Sequence, residues 1–327
     1  MKKRLLAMLM TGAMVASLAA CGGGFSTPAG GDTQKDGGGK ASTTSGCSVD
    51  VILKTTASEY WSYVKAGAEA YSKDNPDVKV EVKGATSETA YDEQQNMIET
   101  DLNSGAYDAF VIAPLQADLV KTLIAGQTAP IVAVDTNIDA PEVLSFVGTG
   151  NEDAAAEGGK AAVEAAKAAG WDKVQAIAIS GVQGDGTATA RLTGYEKGVT
   201  EAGGEFLKDE IQYADAVADK AATSMEAIMQ NHPEGVAIIV CNNDDMALGA
   251  INALVNAGYN LPGGEGCTVI PVFGVDATEA AKELIANKQM TGSIKQDAEG
   301  MADAVATITA NLIAGKDKFE GLNENYE

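Results

Sequence analysis

The sequence predicts an α/β protein made of two doubly wound parallel-sheet lobes joined by a hinge. Short β-branched runs alternate with segments of helical period, which is typical of a parallel sheet with right-handed crossovers. The alternation breaks at residues 148–151, which read Gly-Thr-Gly-Asn, and then starts again in a second half of similar size. Two such halves predict two lobes around a cleft. Polar residues also follow several predicted strands, at the end where open α/β sheets bind ligands.

The predicted elements follow from apolar periodicity and from breakers such as Pro76 and Pro114. In the first half we predict strands at 49–54, 78–83, 108–113, 130–134 and 144–147, and helices at 59–73, 89–103 and 116–125. In the second half we predict helices at 152–169, 187–201 and 217–230, and strands at 174–180, 205–211 and 236–240. The last part adds strands at 269–275 and 290–294, a helix at 279–287, and a final helix that follows Gln296 and ends near residue 313.

The segment 236–250, VAIIVCNNDDMALGA, shows most clearly how a strand leads into a polar cluster. Its β-branched run predicts a buried strand, and apolar residues at helical spacing resume from Met246. Between them lie Asn242, Asn243, Asp244 and Asp245, which can cap the helix. We expect Asn243 to contact a ligand, and Asp244 and Asp245 to act as helix caps and solvated acids.

Composition bounds the function of the chain. Its 327 residues, 45% of them hydrophobic, suffice for two domains with cores. The 23 basic and 46 acidic residues give a formal net charge of -23, which disfavours binding to nucleic acid or anionic lipid. A transcriptional regulator is further disfavoured because no helix-turn-helix pattern precedes the predicted lobes. A neutral or cationic ligand suits this chain better.

The N-terminus predicts export. Lys2, Lys3 and Arg4 precede an apolar run over residues 5–20 that is too short to span a membrane comfortably, so residues 1–20 are expected to be a signal peptide. Residues 18–21, Leu-Ala-Ala-Cys, resemble the bacterial lipobox, which implies cleavage before Cys21 and lipid attachment to its thiol. An ordinary signal peptide with an incidental cysteine is the alternative. Residues 21–46, rich in Gly, Ser and Thr, then form a flexible tether.

Candidate binding residues come from the strand ends and helix starts. Two carboxylates can accept from hydroxyls, an arginine can donate, two amides can do both, and two aromatic rings can cover the C–H faces of a sugar. This inventory suits an uncharged polyhydroxylated ligand such as a monosaccharide. The candidates are Tyr60, Trp61, Asp135, Arg191 in the first turn of its helix, Asn243, Asp276 and Gln296.

From about residue 49 to 314 the chain resembles the ribose-type, or type I, periplasmic binding proteins, the sugar-binding components of ABC transporters. These binding proteins in turn resemble the effector domain of lactose-repressor-like regulators. Six signals in order carry the resemblance: Tyr60-Trp61 before Gly67-Ala68, Asp135 after a strand, Arg191-Leu192-Thr193-Gly194-Tyr195, the run NDDMALGA at 243–250, Gly274-Val275-Asp276, and Gln296.

The resemblance implies that Tyr60 and Trp61 stack on a sugar, that Asp135 accepts from its hydroxyls, and that Arg191 is the arginine of the cleft. It also implies that Asn243 and Asp276 are the second lobe's amide and carboxylate, and that Gln296 lies at a lobe crossover, as hinge, ligand contact or both. The alternatives are structural. The aromatic residues can pack in a helix core, Arg191 can lie solvated on the surface, and Asn243 and Asp276 can cap their helices.

Three departures from the ribose-binding pattern argue against ribose. Ser58-Glu59 stands where an amide is expected, and Thr136 replaces the arginine expected after Asp135. In the second lobe only Tyr213 can supply the further aromatic residue of that pattern. A different pentose, a hexose or a cyclic polyol is therefore expected.

The resemblance and the N-terminal segments together divide the chain. The first lobe is expected at 47–149 and 296–314 and the second at 150–295, while 315–327 stays unassigned. We expect a lipid-anchored, monomeric receptor on the extracytoplasmic face that delivers its ligand to an ABC permease and its ATPase. A receptor that reports to a chemoreceptor or a histidine kinase is the alternative.

Catalysis and metal binding are not expected. Residues 181–186, Gly-Val-Gln-Gly-Asp-Gly, match neither the dinucleotide nor the phosphate-loop spacing, and no Gly-x-Ser-x-Gly elbow occurs. His232, the only histidine, precedes Pro233 in a predicted surface turn. Cys47, Cys241 and Cys267 lie at opposite ends of different strands, so we expect them to be free. No cofactor is predicted.

Overall fold

A computed structural model describes residues 46–322 of the chain. The predicted signal peptide, Cys21 and residues 21–45 of the predicted tether lie outside these residues, as do 323–327. Within the described part, no helix has the length and apolar character needed to cross a membrane.

The first sheet has five parallel strands in the order β2-β1-β3-β4-β5. Its three central strands are almost entirely buried, which explains their continuous apolar runs. The strands are β1 (Cys47–Thr55), β2 (Val78–Ala85), β3 (Ala109–Ile112), β4 (Ile131–Val134) and β5 (Val143–Val147). The helices of this half are α1 (Glu59–Asp74), α2 (Tyr91–Ser104) and α3 (Ala117–Leu123).

The second sheet is also parallel, in the order β11-β10-β9-β6-β7, with β8 pairing further along β6. Its strands are β6 (Gln175–Ser180), β7 (Glu205–Phe206), β8 (Gln212–Tyr213), β9 (Ile238–Cys241), β10 (Val272–Asp276) and β11 (Gly292–Lys295). The helices are α4 (Asn151–Ala168), α5 (Gly186–Glu201), α6 (Ala218–Asn231), α7 (Asp244–Asn256) and α8 (Glu279–Ala286). The predicted fold class, two parallel-sheet lobes, is confirmed.

The prediction of one strand over 205–211 is wrong. Two short strands, β7 and β8, lie on either side of a single 3-10 turn over Lys208–Glu210. The turn holds three consecutive charged residues, and because side chains alternate between the faces of a strand, a half-buried strand would turn at least one of them toward the core. The ladder to β6 is therefore interrupted.

The last helix, α9 (Ala298–Ile313), packs on the first sheet rather than on the second. Its apolar residues Met301, Val305 and Ile308 share a core with α1 and β1. At the α1 contact, a Cβ atom on Gly67 would lie 2.5 Å from the Cβ of Ala302, so the close approach of the two helices requires glycine. Residues 315–322 fold back on the same half, where Lys318 Nζ donates to Leu144 O at 2.7 Å.

We call the first sheet with α1, α2, α3 and α9 the first lobe, and the second sheet with α4 to α8 the second lobe. The chain crosses between them after β5 and again after β11. Cores lie on both faces of each sheet.

Candidate ligand-binding site

A cleft lies where the carboxyl ends of the two sheets face each other. Together with its opening to solvent it encloses about 450 Å³. All seven candidate residues line it: Tyr60, Trp61, Asp135, Arg191, Asn243, Asp276 and Gln296. The structure thus brings together side chains that are up to 236 positions apart, from Tyr60 to Gln296.

Tyr60 and Trp61 form an aromatic wall on the first lobe. Ser58 caps α1 by accepting from the Trp61 N–H at 3.4 Å, so both rings leave the first turn of the helix. The rings meet edge to face, with centroids 5.0 Å apart, and both also belong to the core of the lobe. The two aromatic residues therefore pack in the core of the lobe and also line the cleft. Tyr60 Oη is buried and has no hydrogen-bond partner among residues 46–322.

Asp135 follows β4 in a left-handed backbone conformation, with a φ of 63°. Such a conformation is costly for a residue other than glycine and is often found at functional sites. Its carboxylate is buried, and Oδ2 accepts from Thr136 Oγ1 at 3.0 Å and lies 3.3 Å from Lys54 Nζ. Both contacts use Oδ2, so Oδ1 is the oxygen left for a further donor.

Lys54, near the end of β1, was missed by the sequence analysis. Its side chain is 4% exposed and also donates to Asp185 Oδ2 in the second lobe at 2.9 Å. Burial alone would lower the pKa of Lys54, but Asp135, Asp185 and Glu88 raise it above its usual range, so the ammonium stays charged. A lysine that ends the buried run Val-Ile-Leu was the available signal, because a buried charge needs partners.

Arg191 is buried, not solvated on the surface. It lies in the second turn of α5, because that helix begins at Gly186, and the prediction of the first turn is wrong. Nε donates to Asn151 Oδ1 at 2.7 Å and Nη1 donates to the carbonyl of Asn242 at 2.6 Å. Nη2 is buried and has no partner among the described residues. The guanidinium is therefore fixed in orientation, and Nη2 remains available to donate to a ligand.

Asn243 caps α7, which is the structural role that the sequence left open for this residue. Its Oδ1 accepts from the Met246 N–H at 2.9 Å, and its Nδ2 donates to the carbonyl of Ala216 at 3.3 Å. Nδ2 carries a second hydrogen, so the residue can cap the helix and still donate into the cleft.

Asp244 is not a solvated acid, and that expectation is wrong. Only 2% of it is exposed, and it accepts from Thr278 N at 2.8 Å, from Thr278 Oγ1 at 3.2 Å and from Ser293 Oγ at 2.7 Å. Burial raises the pKa of Asp244 to about 6. The residue ties the start of α7 to the loop that carries Asp276.

Asp276 and Gln296 form a linked pair where the chain returns to the first lobe. Gln296 Nε2 donates to Asp276 Oδ1 at 2.7 Å, and Gln296 Oε1 accepts from Thr149 Oγ1 at 2.7 Å. Asp276 does not cap α8, because Thr278 does so through the Ala281 N–H. Burial raises the pKa of Asp276, and Arg191 partly opposes this effect. Gln296 thereby connects both chain crossings to a carboxylate of the cleft.

Three more lining residues were missed. Asp185 caps α5 through the Ala188 N–H at 2.7 Å while it holds Lys54. Thr187 Oγ1 lies 2.8 Å from Thr136 Oγ1 across the lobes, where the ribose pattern expects an arginine. Glu88 accepts from Trp61 Nε1 at 3.3 Å, and burial raises its pKa against the attraction of Lys54.

The remaining candidates lie outside the cleft. Tyr213 is 41% exposed and does not line it, so the second lobe offers Ala216 instead of an aromatic residue near this position. Cys47, Cys241 and Cys267 form no disulfide within residues 46–322, as predicted. His232 follows α6 and is partly exposed. The described part of the chain holds no group of His, Cys, Asp or Glu side chains suited to a metal ion.

Comparisons with known proteins agree with this architecture. The chain is 27% identical to the D-ribose/D-allose-binding protein of Pseudomonas aeruginosa over 82% of each chain. Two solved structures share the fold. A carbohydrate transporter solute-binding protein of Agrobacterium radiobacter, in complex with D-arabinose, has a TM-score of 0.75 at 23% identity, over 84% of this chain and 90% of that one. A solute-binding protein of Bacillus halodurans with bound myo-inositol has a TM-score of 0.70 at 23% identity, over 84% and 91%.

The family comparison covers both lobes. Residues 49–317 match the model of the periplasmic binding protein domain, which includes every residue of the cleft named above. The chain therefore belongs to the periplasmic binding protein family, with the type I fold that the sequence predicted.

Proposed function

We propose that this chain captures a monosaccharide or a related polyol between its lobes, outside the cytoplasm, and delivers it to the permease of an ABC transporter. The observation that carries the proposal is the pairing of a buried aromatic wall, Tyr60 and Trp61, with Asp135, Arg191 and Asp276 in one cleft. Aromatic rings can stack on the C–H faces of a sugar, and charged groups can form hydrogen bonds with its hydroxyl groups. The names of the relatives, which bind ribose, allose, arabinose or inositol, support the same class of ligand.

The polar atoms left over inside the cleft support a ligand with several hydroxyl groups. Arg191 Nη2 can donate to a ring or hydroxyl oxygen, and Tyr60 Oη can donate or accept. Asp135 Oδ1 can accept from a hydroxyl, while Lys54 holds the other oxygen of the same carboxylate. Because unpaired buried polar groups are costly, a ligand that satisfies them gains affinity and selectivity together.

Ribose is not the ligand that we favour. Thr136 replaces the arginine of the ribose pattern, and its hydroxyl already contacts Asp135 and Thr187. The bidentate donor of that pattern is therefore missing at this point of the cleft. A pentose other than ribose, a hexose or a cyclic polyol fits the remaining donors and acceptors.

The proposed place of action is the outer face of the cell membrane, where a lipid on Cys21 would hold the protein by the tether of residues 21–46. The proposed partners are the permease and its ATPase, with the receptor acting as a monomer. These features rest on the N-terminal sequence and on the family.

A ligand screen tests the proposed function. The purified chain would be heated with D-ribose, D-allose, D-arabinose, D-fucose or myo-inositol, and its unfolding midpoint recorded. A ligand at about a hundred times its dissociation constant adds roughly 2.7 kcal/mol to stability, which gives a shift of several degrees. The absence of a shift across a wide panel of sugars and polyols would contradict the proposal.

A further inference from the structure

A set of polar contacts joins the lobes at the rim, outside the ligand-binding cleft. Glu59 is the first residue of α1 in the first lobe, and Glu279 is the first residue of α8 in the second. The Glu279 N–H donates to Glu59 Oε1 at 3.0 Å and lies 3.2 Å from Tyr63 Oη, which itself donates to Glu59. None of these three residues lines the cleft.

We propose that Glu59 and Tyr63 form an interlobe clasp with the Glu279 N–H, which positions the lobes for ligand capture without touching the ligand. The proposal rests on the proposed function, in which the lobes close on a ligand. The clasp would raise the affinity for every ligand by the same factor, because it stabilises the closed arrangement itself.

The position of the Glu279 N–H explains why a carboxylate is favourable there. The first N–H groups of a helix have no partner within the helix and carry its partial positive charge. Thr278 caps α8 by accepting from the Ala281 N–H, which leaves the Glu279 N–H for another acceptor. Glu59 supplies that acceptor from the opposite lobe, and Tyr63 orients its carboxylate.

The surrounding charges limit how strongly the clasp stabilises the closed arrangement of the lobes. The carboxylate of Glu279 pairs with Lys282 at 2.6 Å and does not take part in the clasp. Asp245 of the second lobe has its pKa raised by burial and then by the charge of Glu59, so one acid opposes the clasp. Glu59 is also partly exposed, which weakens its hydrogen bond through competition with water.

The clasp acts on closure because a hydrogen bond between two lobes is made only while the lobes are together. A ligand shifts the open and closed populations by its differential affinity, and an interlobe contact shifts the same equilibrium without a ligand. Lys54 with Asp185 and Thr136 with Thr187 also join the lobes, but each pair includes residues that line the cleft, namely Lys54, Asp185 and Thr187. Glu59 and Tyr63 can therefore be tested separately from recognition.

The test compares Glu59→Ala and Tyr63→Phe with the wild-type chain. Glu59→Gln keeps an acceptor and should retain part of the effect. Glu69→Gln is the matched control, because Glu69 lies on the same helix and pairs only with Lys65 at an exposed i,i+4 position. Hydrogen-exchange mass spectrometry of the segment that contains Glu279 reports the clasp without any ligand. Calorimetry with D-allose, D-arabinose and myo-inositol reports affinity.

We expect faster exchange at Glu279 in Glu59→Ala and an affinity about 3- to 10-fold weaker for every ligand that the wild type binds, by a common factor. Unchanged exchange at Glu279 would overturn the clasp. A loss that differs between ligands would also overturn it, because Glu59 would then contact the ligand. If the wild type binds no sugar, the proposed function fails, and the exchange measurement still decides on the clasp.

Discussion

The side chains of the cleft are held by protein partners before any ligand arrives. Arg191 is fixed by Asn151 and by the carbonyl of Asn242, and Asp135 by Lys54 and Thr136. Fixed donors and acceptors lose little freedom on binding, so more of the interaction energy contributes to affinity. Recognition at this scale depends on orientation as much as on residue type.

Removal of either Asp135 or Arg191 should abolish stabilisation by sugar. Asp135→Ala removes an acceptor, and Arg191→Ala removes the unpartnered Nη2 donor. We expect each variant to lose the ligand-dependent gain of roughly 2.7 kcal/mol at a ligand concentration that saturates the wild type. Thermal unfolding with and without ligand measures this loss, and Lys197→Gln, at an exposed position on α5, serves as the control. Unchanged shifts in both variants would contradict the site assignment.

Asp244 should make the stability of the protein depend on pH. Its pKa is raised from 3.8 to about 6 in the folded chain, so the folded state binds a proton more tightly than the unfolded state. The stabilisation is complete below pH 3.8 and is lost as the pH rises through about 6, with an upper limit of about 3 kcal/mol. Urea unfolding of the wild type and Asp244→Asn at pH 4.5 and pH 7.5 isolates this effect.

The Asp244→Asn variant should show a smaller loss of stability between the two pH values than the wild type. Asp172→Asn, a substitution at an exposed position, should leave the pH dependence as it is. Equal pH dependence in Asp244→Asn and the wild type would mean that the Asp244 carboxylate titrates normally.

At the scale of elements, helix caps and binding groups are the same residues. Ser58, Asp185 and Asn243 each cap a helix with a side-chain oxygen, and each lines the cleft. This follows from the fold, because helices that come after parallel strands begin at the ligand-binding edge of the sheet. A residue at this position can accept from an unpaired N–H group at the start of the helix and also face the ligand.

Substitution of Asn243 should separate the two roles. Asn243→Ala removes the cap of α7 and should cost about 1 kcal/mol in unfolding free energy, besides any affinity. Asn243→Ser keeps a capping oxygen but loses the Nδ2 donor. We expect near wild-type stability for Asn243→Ser, with affinity weakened about 10-fold by loss of a half-buried donor. Full affinity in this variant would limit Asn243 to capping.

Most elements and seven cleft residues could be predicted because apolar periodicity and strand-end positions are local features of the sequence. The pairing of Lys54 with Asp185 could not be predicted, because the two residues lie 131 positions apart and meet between the lobes. The burial of Asp244 was missed for a similar reason, since its partners Thr278 and Ser293 come from later elements. The split at 205–211 shows that three adjacent charges override an extended pattern.

At the scale of the whole molecule, the two lobes and the cleft between them are the architecture of a binding protein. The family match confirms the expectation of a binding protein rather than an enzyme. Gln296 and Thr149 bond to each other where the chain crosses between the lobes, and Gln296 also holds Asp276. A movement at the crossings is thus coupled to the cleft by two hydrogen bonds.

Attachment to the membrane should involve the whole molecule, because the two lobes would be held there only through the tether. In a bacterial host that processes lipoproteins, the wild-type chain should appear in the membrane fraction, with mass added at Cys21. Cys21→Ala should move the protein to the soluble fraction, since the retained chain would have no acyl groups to anchor it. Cys47→Ala is the matched control, because Cys47 is a partly exposed cysteine at the start of β1 and forms no disulfide with another residue of the described part. Membrane association that survives Cys21→Ala would contradict lipid attachment at that residue.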